Sequence, residues 1–294
     1  MNLAAGKTSP RGEGLIAVDI GNTAIKWTAD SSDDASRRVI RRLSIDDTNW
    51  VSQFLDAVDQ HRRGRPAELR VASVNAKALE NLRKELHQQG NAIALRLIRG
   101  NDCPMETRVR YPDRLGIDRL LAAWRASRLT PGYWVAVVDA GSAITVDCVN
   151  PQGIFLGGSI LPGISLQLES LGRGTDALGV ALDLGDVGNA TGQHASTPLA
   201  SDWVLPGTDT LSAIHAGVWL GTAAAIVGLV RETHRRVAGD DDSGESNRRL
   251  FLTGGDAASL SPLIELPHQL HENLVIEALL DDGLNAVAPK IRQH

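Results

Sequence analysis

Val18-Asp19-Ile20-Gly21-Asn22-Thr23 is the stretch on which the fold turns. Ahead of it, Leu15-Ile16-Ala17-Val18 is a short apolar run that reads as a buried strand. Gly21-Asn22 supplies turn residues that tolerate positive φ, and a second strand is expected over 24–28. An acid therefore sits at the end of a buried strand, at the mouth of a tight turn. The turn can offer backbone N–H groups to an anion, and Asn22 and Thr23 add side-chain donors. Asp19 would repel a bare phosphate but suits one that carries Mg²⁺.

The pattern returns 120 residues later as Val138-Asp139-Ala140-Gly141-Ser142. Val135 to Val138 reads as its strand, and a further strand is expected over 144–149. One Asp-x-Gly turn is common. Two in equivalent settings indicate a duplicated α/β domain whose two turns face a shared cleft.

The residues between fit that plan. Val51, Phe54, Leu55 and Val58 have the spacing of an amphipathic helix over 48–61. Strands are expected over 70–74 and 92–98, around a helix over 78–89 that Gly90 stops. A polar stretch at 30–42 reads as a solvated turn and edge. Leu120, Leu121 and Trp124 share one face of a helix that begins near Gly116, so Asp118 falls in its first turn. There it either stabilises the helix dipole or faces a ligand. Arg119 projects about 100° around the helix from it, so the two need not pair locally. Thr130-Pro131-Gly132 marks the domain boundary, giving a tail at 1–13, one domain at 14–130 and a second at 131–294.

In the second half, Gly157-Gly158 allows either a bulge or a close backbone approach. A helix is expected over 164–171 and an irregular stretch over 172–206. Thr210 opens a long apolar helix to about Arg236, as N-cap or first-turn residue. Residues 239–247 read as a surface loop. A strand over 250–252 runs into Thr253-Gly254-Gly255-Asp256, a third candidate for nucleotide contact. Residues 274–277 look strand-like and 278–288 like a closing helix.

Composition narrows the function. A chain of 294 residues with 43% hydrophobic residues and a formal net charge of -5 reads as soluble, and the acidic balance argues against a nucleic-acid surface. Cys103 and Cys148 make neither a disulfide framework nor a zinc motif, and fit a reducing cytoplasm. The tail lacks the apolar core of a signal peptide. The apolar run at 215–230 is broken by Gly217, Gly221 and Gly228 and reads as a buried helix, so no membrane association is expected. The eight histidines form no metal spacing. There is no nucleophile elbow, P-loop or strand-bound Gly-x-Gly-x-x-Gly.

Asp19-Ile20-Gly21-Asn22-Thr23 with Lys26, Leu115-Gly116-Ile117-Asp118-Arg119, the Asp139–Asp147 segment, Gly157–Gly163 and Thr253–Asp256 occur in that order. Together they resemble the type III pantothenate kinases, members of the sugar-kinase and actin-like ATPase superfamily. The resemblance implies an α/β fold of two duplicated RNase H-like domains around a central nucleotide cleft. It implies ATP-dependent phosphorylation of pantothenate to 4′-phosphopantothenate, the first step of coenzyme A synthesis. On the family pattern, Asp19, Ile20, Gly21, Asn22, Thr23, Ala24, Ile25 and Lys26 cradle the ATP phosphates with Mg²⁺, and Ser142 contacts ATP. Asp118 is the proton acceptor. Gly116, Ile117, Asp118 and Arg119 line the pantothenate pocket, Arg119 pairing with the substrate carboxylate. Tyr111 and Thr210 also match substrate contacts, in a pocket that implies a homodimer. Asp139 matches the ligand of a monovalent cation, K⁺ or NH₄⁺.

Three positions depart from the pattern. Ser142 stands where the family usually has Thr, Glu277 is followed by Ala278 rather than Gly, and the 239–247 loop is longer. Two other readings remain: another phosphotransferase or phosphatase of the superfamily, such as a sugar kinase, and a regulatory accessory protein without turnover. The joint presence of Asp19, Asp118, Arg119 and Asp139 favours a working enzyme.

Overall fold

The structure is a computed structural model that describes residues 14–29, 38–89, 92–174, 205–238 and 247–285. The expected tail at 1–13, most of the irregular stretch (175–204) and the loop at 239–246 lie outside the described residues. The strands are β1 Leu15–Ile20, β2 Ala24–Thr28, β3 Arg41–Ser44, β4 Ala67–Ser73, β5 Ile93–Leu97, β6 Trp134–Ala140, β7 Ala143–Val149, β8 Phe155–Pro162, β9 Arg248–Thr253 and β10 Gln269–Leu270. The helices are α1 Trp50–Arg62, α2 Ala76–Gln89, α3 Ile117–Leu129, α4 Ile164–Gly174, α5 Thr210–Ala238, α6 Ala257–Leu260 and α7 Leu274–Leu280.

The strands form two sheets with one topology. The first has the order β3-β2-β1-β4-β5 and the second β8-β7-β6-β9-β10. In each, the central strand pairs antiparallel with the next strand in sequence and parallel with the fourth. The duplication seen at Asp19 and Asp139 thus extends to the whole sheet.

Strand alternation assigns the faces. In the first sheet Ile16, Val18, Ile20, Ile25 and Trp27 face α1 and α2 and pack with Phe54, Leu55 and Leu82. Each large side chain buried there contributes about 1.5–3 kcal/mol. α1 ends where Arg63 turns left-handed at φ 50° and donates its N–H to Asp59 O. α2 starts at Asn75, whose Oδ1 accepts the Ala78 N–H at 3.0 Å. The opposite face carries Ala17 beside Arg70 and Asp19 beside Lys26. Arg70 is buried, and its Nη1 donates to Leu279 O of α7 at 2.8 Å.

α7 corrects the strand-like reading of 274–277. A short apolar run has no period that separates a buried strand from a buried helix. Here every residue from Leu274 to Leu280 is buried, and the backbone closes its own hydrogen bonds as a helix. The closing helix stops at Leu280 and is followed by a 3₁₀ turn, Asp282–Asn285.

In the second sheet Ala136, Val138, Ala140, Ile144 and Val146 pack under α4, α5 and α6. α5 has 29 residues and is long and apolar enough to cross a membrane by length and composition. Its Ile214, Val218, Trp219, Ile226 and Val230 are instead part of this core. α3 packs against β6, β7 and β8.

These packings move the domain boundary. One compact unit holds the chain up to Asp102 and takes back a piece that begins at Ile276; the other runs from Cys103 to Val275. The boundary expected at 130/131 fails because α3, which precedes it in sequence, belongs with the second sheet.

Candidate active site

The first hairpin presents Asp19 at the end of β1 directly across from Lys26 on β2, both half-buried. Opposed residues on antiparallel strands share a face, so carboxylate and ammonium project the same way. The turn differs from expectation in one respect. Neither Gly21 nor Asn22 takes a positive φ, and the Gly21 N–H is already bonded to Ala24 O at 3.0 Å. Glycine matters there for space, since a Cβ would stand 3.3 Å from that carbonyl. Asn22 and Thr23 are exposed at the tip, whereas Ile20, Ala24 and Ile25 are buried.

In the second unit, α3 begins after Gly116, whose conformation is extended (φ -57°, ψ 130°). Asp118 curls back over it, and a Cβ at Gly116 would lie 2.5 Å from Asp118 Oδ1. Oδ1 accepts the Arg119 N–H at 2.8 Å. Burial pushes the Asp118 carboxyl above its usual range, against the pull of that N–H and of the Arg119 charge. Ile117 is buried in the helix contact.

Arg119 does not point into open solvent. Its Nε lies 3.1 Å from both oxygens of Asp147 and its Nη2 lies 2.5 Å from Oδ1. Asp147 is 1% exposed and also accepts from Thr145 Oγ1 at 3.1 Å. Burial raises the Asp147 pKa, opposed by the Arg119 bonds. For Arg119, burial lowers the pKa, but the hydrogen bonds and charge of Asp147 outweigh it and the net shift is upward. Sequence reasoning quoted Asp147 without giving it a role. The available signal was a charged residue alternating with apolar ones on a strand that is otherwise buried.

The glycines of Gly157–Gly163 serve this site. Gly157 takes φ +116° next to a register shift between β7 and β8, so a bulge is present. Gly158 lies opposite Asp147, and a Cβ there would overlap the Asp147 carboxylate and Val146 O. Both readings of the pair hold. Gly163 packs on the Gly141-Ser142 turn and donates its N–H to Ser142 O at 3.2 Å. Ser142 itself is exposed.

Asp139 is half-buried at the end of β6, across from Thr145. Gly254, at φ +98°, packs onto it: a Cβ there would lie 2.5 Å from Asp139 Oδ1 and overlap Ala140 O. The Asp256 N–H caps Ala140 O at 2.9 Å. The loop after β9 thus braces the acid. Among the described residues no cluster of three His, Cys, Asp or Glu could hold a metal.

The other predicted residues lie further out. Tyr111 is 53% exposed, with the Arg110 and Arg114 guanidinium carbons 5.3 and 5.0 Å from its ring centroid. Thr210, at the start of α5, borders an open groove of about 680 Å³ against α4, lined also by Gln167, Leu171, Ile214 and Gly217. Asp118 and Arg119 do not line that groove. Burial pushes Cys103 up to about 12 and Cys148 to about 11, so neither thiol is a nucleophile at neutral pH.

Two sheets of one topology, each with an acid near the end of its central strand, make a duplicated α/β fold. Solved structures of the same fold include a protein described as a 2-dehydro-3-deoxygalactonokinase from Sinorhizobium meliloti. It has TM-score 0.54 and 15% identity, covering 90% of this chain and 96% of that one. Another is described as a Baf family transcriptional activator from Campylobacter jejuni, with TM-score 0.53 and 23% identity, covering 90% and 95%. At these identities they speak to fold alone.

A family model for type III pantothenate kinases matches residues 15–232. The type III pantothenate kinase of Rhodopirellula baltica is 32% identical over 293 residues, covering 90% of this chain and 97% of the relative. That of Chromohalobacter salexigens is 30% identical over 274 residues, covering 90% and 85%. The chain belongs to the type III pantothenate kinase family.

Proposed function

We propose that the protein transfers the γ-phosphoryl group of ATP to the primary hydroxyl of pantothenate, giving 4′-phosphopantothenate for coenzyme A synthesis. The observation that carries this reading is Asp118: a half-buried carboxylate in the first turn of α3, its proton affinity raised by burial, beside a held arginine. A carboxylate in that state is a better proton acceptor than a solvated one.

Asp118 takes the proton of the attacking hydroxyl. Arg119 pairs with the carboxylate at the other end of pantothenate, with Gly116 and Ile117 forming the adjoining wall and Tyr111 and Thr210 making further contacts. Asp19, Asn22, Thr23 and Lys26 serve the phosphates of ATP, which arrives with Mg²⁺, and Ser142 contributes a hydroxyl to the nucleotide. Asp139 with nearby backbone carbonyls would hold K⁺ or NH₄⁺, which supplies positive charge near the phosphates. Phosphoryl transfer depends on positioning and charge neutralisation more than on covalent help, so this chain needs no nucleophile of its own. The protein acts as a cytoplasmic homodimer.

Purified protein supplied with ATP, Mg²⁺, K⁺ and pantothenate is expected to form 4′-phosphopantothenate, read by mass spectrometry, and to rescue a strain that lacks pantothenate kinase. No product and no rescue would defeat the proposal.

A further inference from the structure

An arginine has five N–H groups in a planar fork. Asp147 occupies one side of that fork, taking Nε and one hydrogen of Nη2. Nη1 and the second Nη2 hydrogen form the end of the fork, the edge that grips a carboxylate through two parallel bonds. Asp147 is fixed in turn. Thr145 Oγ1 donates to its Oδ2, and Gly158 across the strand pair leaves room for the carboxylate where any side chain would overlap it. The buried Phe155 ring lies beside the guanidinium, its centroid 6.0 Å from Cζ. At 1% exposure Asp147 is too enclosed to touch an acceptor itself.

We propose that Asp147 is a positioning residue which, held by Thr145 and Gly158, aims the end of the Arg119 fork at the carboxylate of the acceptor. The inference rests on the pantothenate reading and deepens it by assigning recognition of the acceptor's acidic end to a buried acid on β7. A pair that only fastened α3 to β7 would affect every acceptor alike.

The test compares pantothenate with the analogue in which CH₂OH replaces the carboxylate, followed as substrate or as competitive inhibitor. In Asp147→Asn the KM for pantothenate is expected to rise on the order of tenfold or more, with a smaller change in kcat. The constant for the alcohol analogue stays within about twofold of wild type. Thr145→Val shifts the pantothenate KM the same way by about threefold, and Thr145→Ser restores it. That second pair carries the test if Asp147→Asn does not fold by circular dichroism. Equal losses for both acceptors, or no selective change in Thr145→Val, overturn the inference while wild-type turnover keeps the pantothenate reading. A wild type that phosphorylates neither acceptor overturns both.

Discussion

The two hairpins stand at equivalent places in equivalent sheets but set different residues opposite their acids. Asp19 faces Lys26 across its strand pair, whereas Asp139 faces Thr145. In both units the loop after the parallel neighbour caps the last carbonyl of the central strand, Val74 N–H on Ile20 O at 3.1 Å and Asp256 N–H on Ala140 O at 2.9 Å. Only the second loop also presses a glycine, Gly254, onto the acid. The residue opposite the acid also differs in allegiance. Lys26 carries a charge on the same face as Asp19, while Thr145 spends its hydroxyl on Asp147 and so on Arg119. Duplication preserved the frame while the residues that face each acid diverged.

Substitutions that target one hairpin at a time break or sharpen this contrast. Asp19→Asn should have the largest effect, a fall in kcat on the order of 10²–10³-fold that excess K⁺ does not repair. A variant that keeps about a tenth or more of wild-type turnover would remove Asp19 from the chemistry. Asp139→Asn should abolish the difference between K⁺ and Na⁺ and lower activity by about tenfold. Retained K⁺ selectivity would take the cation away from Asp139. Gly254→Ala has the smallest catalytic consequence to foresee but a clear structural one. Alanine at φ +98° against Asp139 and Ala140 should cost about 1–3 kcal/mol in urea unfolding, and an unchanged midpoint would show that the loop is not braced as described.

Much of this contrast was legible in the chain. The Asp-x-Gly pair and the apolar runs ahead of it disclosed two copies of one strand plan, because period-2 burial and turn residues are local signals. The segment from Gly116 to Arg119 was legible for the same reason, as a helix start with an acid in the first turn. Other features rest on contacts between distant parts of the sequence. Asp147 acquires its role only when β7 meets α3, and Gly254 only when β9 lies beside β6. The swap that places α3 with the second sheet and the piece from Ile276 with the first leaves no local mark, so Thr130-Pro131-Gly132 looked like a boundary. α7 was misread because an apolar run buried on every side has no period.

Asp118 is the proposed base. A base acts only when unprotonated, so kcat/KM should fall as pH drops through its pKa. Burial holds that pKa above the ordinary Asp range, which puts the acid limb above about pH 4. The most direct measurement is single-turnover phosphoryl transfer by Asp118→Asn with pantothenate, Mg²⁺ and ATP. The account predicts a rate reduced by about 10²-fold with ATP affinity within about twofold of wild type. Transfer within about threefold of wild type would contradict it.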